Sequence, residues 1–583
     1  MSSLNRTLGD LAPRVAHCRD LPERYNPKHC LAIYYLSIPD YSPSAPVMAL
    51  GEVIAARNGI GCVILEGVPA KIPEGAAIIA KYPDLMAIRP DLLEGLPALD
   101  EPEQYAVRIG QSVLIVSPSI EGLVSGIQTL TMLILRHGEP TLPGGLILDR
   151  PACQSRGLAV ELTPDEINVG LLLQIASFAA TFKANRLHLI LPAEFNSGLE
   201  IPGLETFVQT CRSYGIAIGV RLPWLSGLLS GKRPIPAAWA GIRAAAEIFG
   251  ADRAALDDPC PPDADPAQAE KIMASILNGD TGLKAFSLDA RLIRKSACPV
   301  PPLEQRGIAG WFRMDDQPEP PPPELSDIPL WIDAQAPVMG FSNHGAAAYH
   351  RRLDSAMLWL RSRTGRGLMI SFRNARVGCL WQNLMHPAAT GLIAAWGNPR
   401  DAGQSSQLFA NLLYSDMAPP VLDMWDAVSA AYPPGLSLDE ERLLRHVAFG
   451  RWPEDERTLQ LLAGIDWLAT IRGIRAAADK LKKASEGLSR NAATLSGARL
   501  CLQALSWLCS FASLVPELER LRQTGSPPID DRGAAMAREL LNNFTLWSGC
   551  LRNMPGESGQ RAGDPPILGD MRLRLEELCR GMA

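Results

Sequence analysis

Two pairs of adjacent aspartates follow strand-like runs of this sequence, and acid–base chemistry could use either pair. Asp257–Asp258 comes directly after Arg253–Leu256 and before Pro259, where a loop should begin. Asp315–Asp316 follows Gly307–Trp311 and competes for the same role. Neighbouring carboxyl groups can divide the general-acid and anionic roles of a reaction between them. Aspartates at strand ends also act as caps and turn formers, so a structural interpretation stays open.

Tryptophans form a second set of candidate residues. Those at or near the ends of strand-like runs are Trp224, Trp311, Trp331 and Trp381. An indole face stacks on the C–H face of a sugar ring, so tryptophans gathered at one end of a fold would form an apolar sugar pocket. Asp333, two residues after Trp331, is a candidate contact for a hydroxyl or acetamido group. For any single tryptophan, packing between elements is the simpler interpretation.

Charge and hydropathy exclude two classes of partner. The chain has 583 residues, a formal net charge of -6 and dispersed basic residues. Such a distribution offers no electrostatic footprint for nucleic acid and does not favour an anionic membrane surface. No apolar run approaches the roughly 20 residues that a membrane-spanning helix requires.

Cysteine spacing gives no metal or disulfide signal. The 12 cysteines are scattered from Cys18 to Cys579 without a C-x-x-C pair, so neither a zinc site nor a disulfide framework is predicted. We expect no metal and no cofactor. The first 15 residues lack the apolar region of a secretory signal. Free thiols in a reducing cytoplasm are the expectation that follows.

Strand-like and helix-like stretches alternate between residues 151 and 400. The strand-like runs are Gly157–Glu161, Arg186–Ile190, Ile216–Val220, Arg253–Leu256, Lys284–Leu288, Gly307–Trp311, Pro329–Ile332 and Gly367–Ser371. Eight such units in about 250 residues predict an α/β fold, a (β/α)₈ TIM barrel. A doubly wound open sheet is the alternative, but it would not require eight units.

Residues 1–150 predict a small α/β or α+β domain. Tyr105–Ile109 and Ser112–Val116 are joined by Gly110–Gln111, which is typical of a hairpin. Apolar residues at helical spacing follow from Gly122 to Leu135. Strands followed by a helix are typical of such a domain.

Residues 401–583 predict a helical bundle. Leu461, Ile465, Leu468 and Ile471 share one helical stripe, which we interpret as core. Glycine and proline clusters at 525–528 and 555–566 divide this segment before a last helix.

The stretch from Tyr105 to Glu161 resembles glycoside hydrolase family 20. In that family a hairpin precedes a G-x-x-x-G-x-Q-T-L helix, and an I-x-D-x-P segment leads into an R-G strand. The matching residues are Gly122, Gly126, Gln128, Thr129, Leu130, Asp149, Pro151, Arg156 and Gly157. Family 84, which has a helical domain after its barrel, is similar in layout and in an R-G-x-x-E first strand. The resemblance implies a β-N-acetylhexosaminidase-like fold in three parts.

The resemblance also implies roles for particular residues. In these hydrolases the substrate's 2-acetamido oxygen is the nucleophile. One carboxylate at the end of strand four orients the acetamido N–H and its neighbour protonates the leaving oxygen, which assigns Asp257 and Asp258 respectively. Arg156, expected at or near the carboxyl end of strand one, would grip hydroxyls of the terminal sugar. Glu161 ends the same motif and is grouped with the substrate-binding residues.

Several positions depart from the family patterns. Ala255–Leu256 precedes the aspartate pair where family 20 has Gly-Gly. Trp381-Gln382-Asn383 stands in place of Trp-x-Glu, so Asn383 replaces a glutamate that holds sugar hydroxyls. Leu191–Glu194 stands where family 84 has a lysine- and aspartate-containing segment. We expect His188, within strand two, to face into the barrel without a catalytic role.

The expected function is hydrolysis of a terminal β-linked N-acetylhexosamine, or a modified relative, with retention of configuration. The expected partner is a carbohydrate or glycoconjugate substrate. A catalytically degenerate barrel that binds carbohydrate or acts as a scaffold is the alternative. A barrel enzyme of another reaction type is the third possibility, since fold does not determine function. No motif predicts an oligomeric state.

Overall fold

The computed structural model describes most of the first 414 residues and one later helix. The described ranges are 15–27, 30–36, 44–137, 141–162, 168–192, 201–296, 307–314, 330–336, 346–361, 367–372, 377–397, 401–414 and 466–485, with a few isolated positions besides.

A mixed seven-stranded sheet forms the first domain. Its strands are β1 His17–Tyr25, β2 Cys30–Tyr35, β3 Gly61–Glu66, β4 Ala77–Lys81, β5 Tyr105–Ile109, β6 Val113–Ser117 and β7 Leu142–Asp149. The strand order is β1-β7-β5-β6-β4-β2-β3, and β5 pairs with β6 antiparallel, which confirms the predicted hairpin. The helices are α1 Ser44–Asn58, α2 Tyr82–Ile88 and α3 Ile120–His137, with a 3₁₀ turn at Pro90–Leu93.

Two glycines let α3 lie close against this sheet. A Cβ at Gly126 would lie 2.7 Å from the Ile115 side chain and 3.2 Å from the Tyr105 ring. A Cβ at Gly122 would overlap the Ser117 hydroxyl. The G-x-x-x-G spacing therefore has a packing cause, because residues four apart share one face of a helix.

A closed barrel of eight parallel strands forms the second domain. The strands are β8 Ser155–Glu161, β9 Arg186–Ile190, β10 Ala217–Leu222, β11 Arg253–Leu256, β12 Ala285–Asp289, β13 Ile308–Met314, β14 Leu330–Gln335 and β15 Gly367–Phe372. Pairing of β15 with β8 closes the ring, so the TIM-barrel prediction is confirmed and the open sheet is excluded. All eight predicted runs coincide with these strands to within a few residues.

Helices surround the barrel. They are α4 Val169–Thr181, α5 Leu204–Ser213, α6 Leu225–Leu229, α7 Ile235–Ile248, α8 Pro266–Leu277, α9 Ala290–Lys295, α10 Ala346–Arg361, α11 Val377–Trp396 and α12 Ala402–Tyr414. Leu408 and Phe409 of α12 belong to the apolar core between strands and helices. Phe409 also packs on Phe182, with ring centroids 5.6 Å apart, so α12 is part of the barrel's outer layer.

Side chains alternate along each barrel strand between this helix-facing core and the lumen. In β10, Ile218, Val220 and Leu222 belong to the core, which leaves Gly219 and Arg221 facing inward. The same alternation in the other strands decides which polar residues can meet inside the barrel.

Asp149, at the end of β7, joins the two domains. Its Oδ2 accepts hydrogen bonds from the Tyr105 hydroxyl at 2.6 Å, Trp396 Nε1 at 2.9 Å and Lys183 Nζ at 3.2 Å. Trp396 lies in the apolar core of the first domain although it ends a barrel helix. The I-x-D-x-P segment is therefore a buried junction, with one carboxylate at its centre.

One helix of the third segment is described, α13 Trp467–Ser485. Its buried face holds Trp467, Thr470, Ile474 and Ala477. Leu468 is 65% exposed, so its assignment to the core is wrong. The buried positions Trp467 and Thr470 each precede by one residue the predicted core positions Leu468 and Ile471. No helix in the described ranges is long and apolar enough to span a membrane.

Candidate functional site

The carboxyl ends of the barrel strands bring polar side chains to one rim. The inward-facing residues at or next to these ends include Glu161, Arg221, Asp257, Arg313, Gln335 and Ser371. Because all eight strands are parallel, these ends meet at one mouth of the barrel. Asp289, also at this end, caps α9 and accepts a hydrogen bond from Cys260 N at 2.9 Å, which anchors the loop after β11.

Asp257 extends β11 by one residue and faces the lumen. Its N–H donates to Leu222 O at 2.9 Å, which continues the ladder with β10. Its Oδ1 lies 3.3 Å from Arg221 Nη1, and its Oδ2 lies 4.0 Å from Arg313 Nη2. Arg313 Nη2 also donates to Asp257 O at 2.8 Å. Two guanidinium groups therefore hold this carboxylate at the rim.

Arg221 connects Asp257 to the interior. Its Nη1 donates to Asp333 Oδ2 at 2.9 Å, and its Nε donates to His188 Nδ1 at 3.1 Å. Arg221 is 1% exposed and Asp333 is fully buried. Burial and the adjacent arginines hold the pKa of His188 well below its usual range, so the ring is neutral. The inward, structural position expected for His188 is confirmed.

Asp258 turns away from the lumen toward α6. Its Oδ2 accepts from Ser226 N at 3.1 Å and from Ser226 Oγ at 3.0 Å. Burial raises the pKa of Asp258, although the Ser226 hydrogen bonds and the charge of Arg313 oppose that shift. Two sequence neighbours thus occupy different environments, one ion-paired and one with a pKa raised by burial.

The tryptophans do not gather at the rim as predicted. Trp224 follows β10 but packs in the helix-facing core, with Arg233 stacked on its ring at 3.9 Å. Trp311 lies in the middle of β13, where its Nε1 donates to Leu256 O at 2.9 Å. Trp331 is the second residue of β14, near its amino end, beside His188. Trp311 and Trp331 are register partners that both face the lumen, below the rim, whereas Trp224 faces away from it, so these three residues do not form one pocket at the rim.

Arg156 is also misplaced by the sequence prediction. It is the second residue of β8, so it lies at the amino end of the barrel, opposite the rim. It pairs with Glu103 of the first domain, donates to Lys183 O at 3.1 Å and stacks on Trp396 at 4.7 Å. Arg156 therefore belongs to the domain junction. Glu161, the last residue of β8, does lie at the rim.

Other candidate residues lie partly or wholly outside the described part of the chain. Asp315 and Asp316 fall outside the described ranges. Trp381 and Asn383 fall within α11, not at a strand end, and their side chains are outside what the structure describes.

Arg221 and Arg313 are the rim residues that the sequence analysis missed. Each is the inward residue next to the end of its strand, within an otherwise apolar run. A charge at an inward position of a barrel strand needs a partner. An arginine within an apolar strand was therefore the sequence feature that could have identified both residues.

Neither family models nor curated proteins match this chain. Solved structures do share its fold. CpGH84D superposes with a TM-score of 0.56 and 11% identity over 97% of this chain and 99% of its own. CpGH84B has a TM-score of 0.53 and 10% identity, and the match covers 98% of this chain and 100% of its own. The GH20 β-N-acetylhexosaminidase from Streptomyces coelicolor A3(2) has a TM-score of 0.50 and 12% identity, and the match covers 69% of this chain and 95% of its own. At these identities the similarity establishes a glycoside hydrolase fold.

Proposed function

We propose that this chain is a glycoside hydrolase that removes a terminal β-linked N-acetylhexosamine, or a modified relative, by substrate-assisted retaining hydrolysis. The observation that carries the proposal is the division of environments between Asp257 and Asp258 at the end of the fourth barrel strand. Active sites of TIM-barrel enzymes lie at this end. The β-N-acetylhexosaminidase among the structures of similar fold supports the choice of substrate.

The first step forms a bond between the substrate's acetamido oxygen and its anomeric carbon. The bond from that carbon to the leaving oxygen breaks, and Asp258 transfers its proton to this oxygen. The raised pKa of Asp258 suits a group that must enter the reaction protonated. Asp257, as a carboxylate, accepts the acetamido N–H and balances the positive charge of the oxazolinium ion.

The second step restores the enzyme. Asp258, now a carboxylate, takes a proton from water as the water oxygen attacks the anomeric carbon. The bond to the acetamido oxygen breaks and its electron pair returns to the amide. Two inversions at one carbon give net retention.

A catalytically degenerate carbohydrate-binding barrel is the second candidate. The observation that favours it is the pairing of Asp257 with both Arg221 and Arg313, since a carboxylate with two cationic partners is a weaker acceptor for the substrate N–H. The departures at Asn383 and Leu191–Glu194 point the same way.

Leaving-group dependence tests the proposal. Asp258→Ala should lose about 10²–10⁴ in rate on an alkyl or sugar leaving group, and much less on a nitrophenyl group that departs without a proton. Asp257→Ala should slow both substrates alike, because oxazolinium formation precedes every product. Asp263→Ala changes an exposed aspartate in the loop after the same strand and serves as the matched control.

The two candidates predict different results. Wild-type protein that binds an N-acetylglucosamine-thiazoline type inhibitor but hydrolyses no N-acetylhexosaminide would support the degenerate barrel. Active wild type with both variants equally active would show that the aspartates are structural.

A further inference from the structure

Small residues line the described amino end of the barrel lumen. Ala217, Ala285 and Ala309 face inward near the starts of β10, β12 and β13, and each is partly exposed. Their outward-facing neighbours Ile218, Phe286 and Ile308 are buried. These three partly exposed alanines therefore mark the lower lumen, at the end opposite Asp257 and Asp258.

Three nitrogen-bearing side chains lie on β9 and β11, along one side of this space. Arg186 and Arg253 are the inward first residues of β9 and β11. His188 lies two residues above Arg186, and both His188 and Arg253 pair in register with Gly219 of the strand between them. A Cβ at Gly219 would lie 2.7 Å from His188 Nε2, so the imidazole edge carrying Nε2 fills the gap over this glycine, toward β11.

One nitrogen of each group is a donor without an acceptor in the described part of the chain, although Arg186 Nη1 donates to Asn185 O at 2.9 Å. Because His188 Nδ1 accepts from Arg221 and the ring is neutral, its proton must be on Nε2. His188 is 1% exposed, and within the described residues its Nε2 and the Nε atoms of Arg186 and Arg253 are buried without a hydrogen-bond partner. Buried donors that line one space favour an acceptor in that space.

The charge balance favours an ion over water. Arg221 is neutralised by Asp257 and Asp333 in the upper lumen. In the described lower lumen, Arg186 and Arg253 oppose each other, and their repulsion adds to the burial that lowers the pKa of Arg186 to about 10. Arg253 Nε has only a distant contact with Asp252, at 3.7 Å, and Glu103 and Glu121 of the first domain act on Arg186 from outside.

We propose that the lower lumen binds a small inorganic oxyanion of phosphate or sulfate size, held by Arg186, Arg253 and His188 Nε2–H. Guanidinium groups match the geometry of such oxyanions. The indole of Trp331, 5.5 Å from the His188 ring, forms an apolar wall of the site. The site is separate from the proposed catalytic rim, and its occupancy does not depend on the hydrolytic function.

Phosphate-dependent thermal unfolding tests the site. At constant ionic strength in a bulky organic salt, sodium phosphate should raise the unfolding midpoint of the full chain in a saturable way, as a ligand specific for the folded state does. Arg253→Gln and Arg186→Gln should each weaken the apparent affinity for phosphate at least about tenfold. Arg212→Gln, an exposed arginine on α5, should leave it unchanged.

Direct observation removes any dependence on how the variants fold. Anomalous diffraction from a wild-type crystal soaked in selenate should place a selenium peak in the lower lumen, with a selenate oxygen within hydrogen-bonding reach of His188 Nε2. A midpoint insensitive to phosphate, stabilisation by chloride alone, or only water at that position would overturn the proposal. Asp258→Ala should still bind phosphate, so a failure of the proposed hydrolytic function would not affect the test of the oxyanion site.

Discussion

Ser226 controls the acid strength of Asp258 through two hydrogen bonds to one carboxylate oxygen. Both bonds stabilise the anion and lower its pKa against the opposing effect of burial. Ser226→Ala removes the hydroxyl bond, so the pKa of Asp258 should rise further. Activity that needs protonated Asp258 is lost as the pH rises through that pKa. The basic limb of the kcat/KM profile should therefore move to higher pH.

The control for this prediction lies in the same helix region. Ser230 is exposed at the end of α6 and its hydroxyl donates to Gly227 O at 3.3 Å. Ser230→Ala should leave the pH profile where it is. If the basic limb moved equally in both variants, or only in Ser230→Ala, the group that titrates there would not be Asp258.

Arg221 neutralises two buried carboxylates, so its loss should be costly. Arg221→Met would leave Asp257 and Asp333 in the lumen without their shared cation. Removing one partner of a buried ion pair typically costs about 3–5 kcal/mol. Denaturant-induced unfolding should show this loss, whereas exposed Arg212→Met should change the free energy of unfolding by less than about 0.5 kcal/mol. Equal stability of the two variants would contradict the network.

The sequence predicts which residues lie near the ends of strands, but it does not predict which way their side chains face. Asp257 follows a recognisable strand, so its place at the carboxyl end was predictable. Which way a side chain faces depends on alternation and on the exact strand bounds. Trp331 was therefore taken for a strand end although it is the second residue of β14. Arg221 was missed because its partners Asp257 and Asp333 are 36 and 112 residues away in the chain.

At the scale of the element, Gly126 tests the close contact between α3 and the first sheet. Gly126→Ala would place a methyl group 2.7 Å from Ile115 and should destabilise by about 1–3 kcal/mol through overpacking. Gly170→Ala is the matched change in α4, where a Cβ would meet only Asn168 Oδ1, at 3.4 Å. That variant should be neutral or gain about 0.4–1 kcal/mol. Chemical denaturation measures both, and a stabilising Gly126→Ala would refute the contact.

Strands were the most predictable elements. β6 and β15 are short apolar runs with few competing interpretations, and turn-forming residues bound them. The error at Arg156 arose within a correctly predicted strand, because the motif alone did not show which end of β8 it occupies. In α13 the distribution of apolar residues predicted the wrong buried face, since Leu468 is exposed while Thr470 is buried.

At the scale of the whole molecule, Lys183 makes the domain junction sensitive to pH. The ammonium group lies between the Tyr105 and Trp396 rings, at 5.1 and 4.3 Å, beside Asp149. Burial lowers its pKa from 10.5 to about 8, against the opposing effect of Asp149. Between these two values the unfolded chain binds a proton that the folded protein does not. Stability should therefore increase with pH across that window, by up to about 1.4 kcal/mol per pH unit.

Comparison with Lys183→Met isolates this contribution from other groups that titrate in the same range. The difference in unfolding free energy between wild type and variant should rise from pH 8 to pH 10.5 and level off above it. A constant difference across the window would mean that Lys183 keeps its proton at the junction.

Substrate-assisted catalysis is the central claim, and substrates modified at the acetamido group test it most directly. The measurement is kcat/KM on nitrophenyl N-acetylglucosaminides that carry zero to three fluorines on the acetyl group, with the 2-hydroxy glucoside alongside. Fluorine withdraws electrons from the attacking oxygen, so the rate should fall stepwise with each fluorine, and the 2-hydroxy sugar should not react. Equal rates across the fluorinated series, or turnover of the 2-hydroxy glucoside, would contradict the mechanism assigned to Asp257 and Asp258.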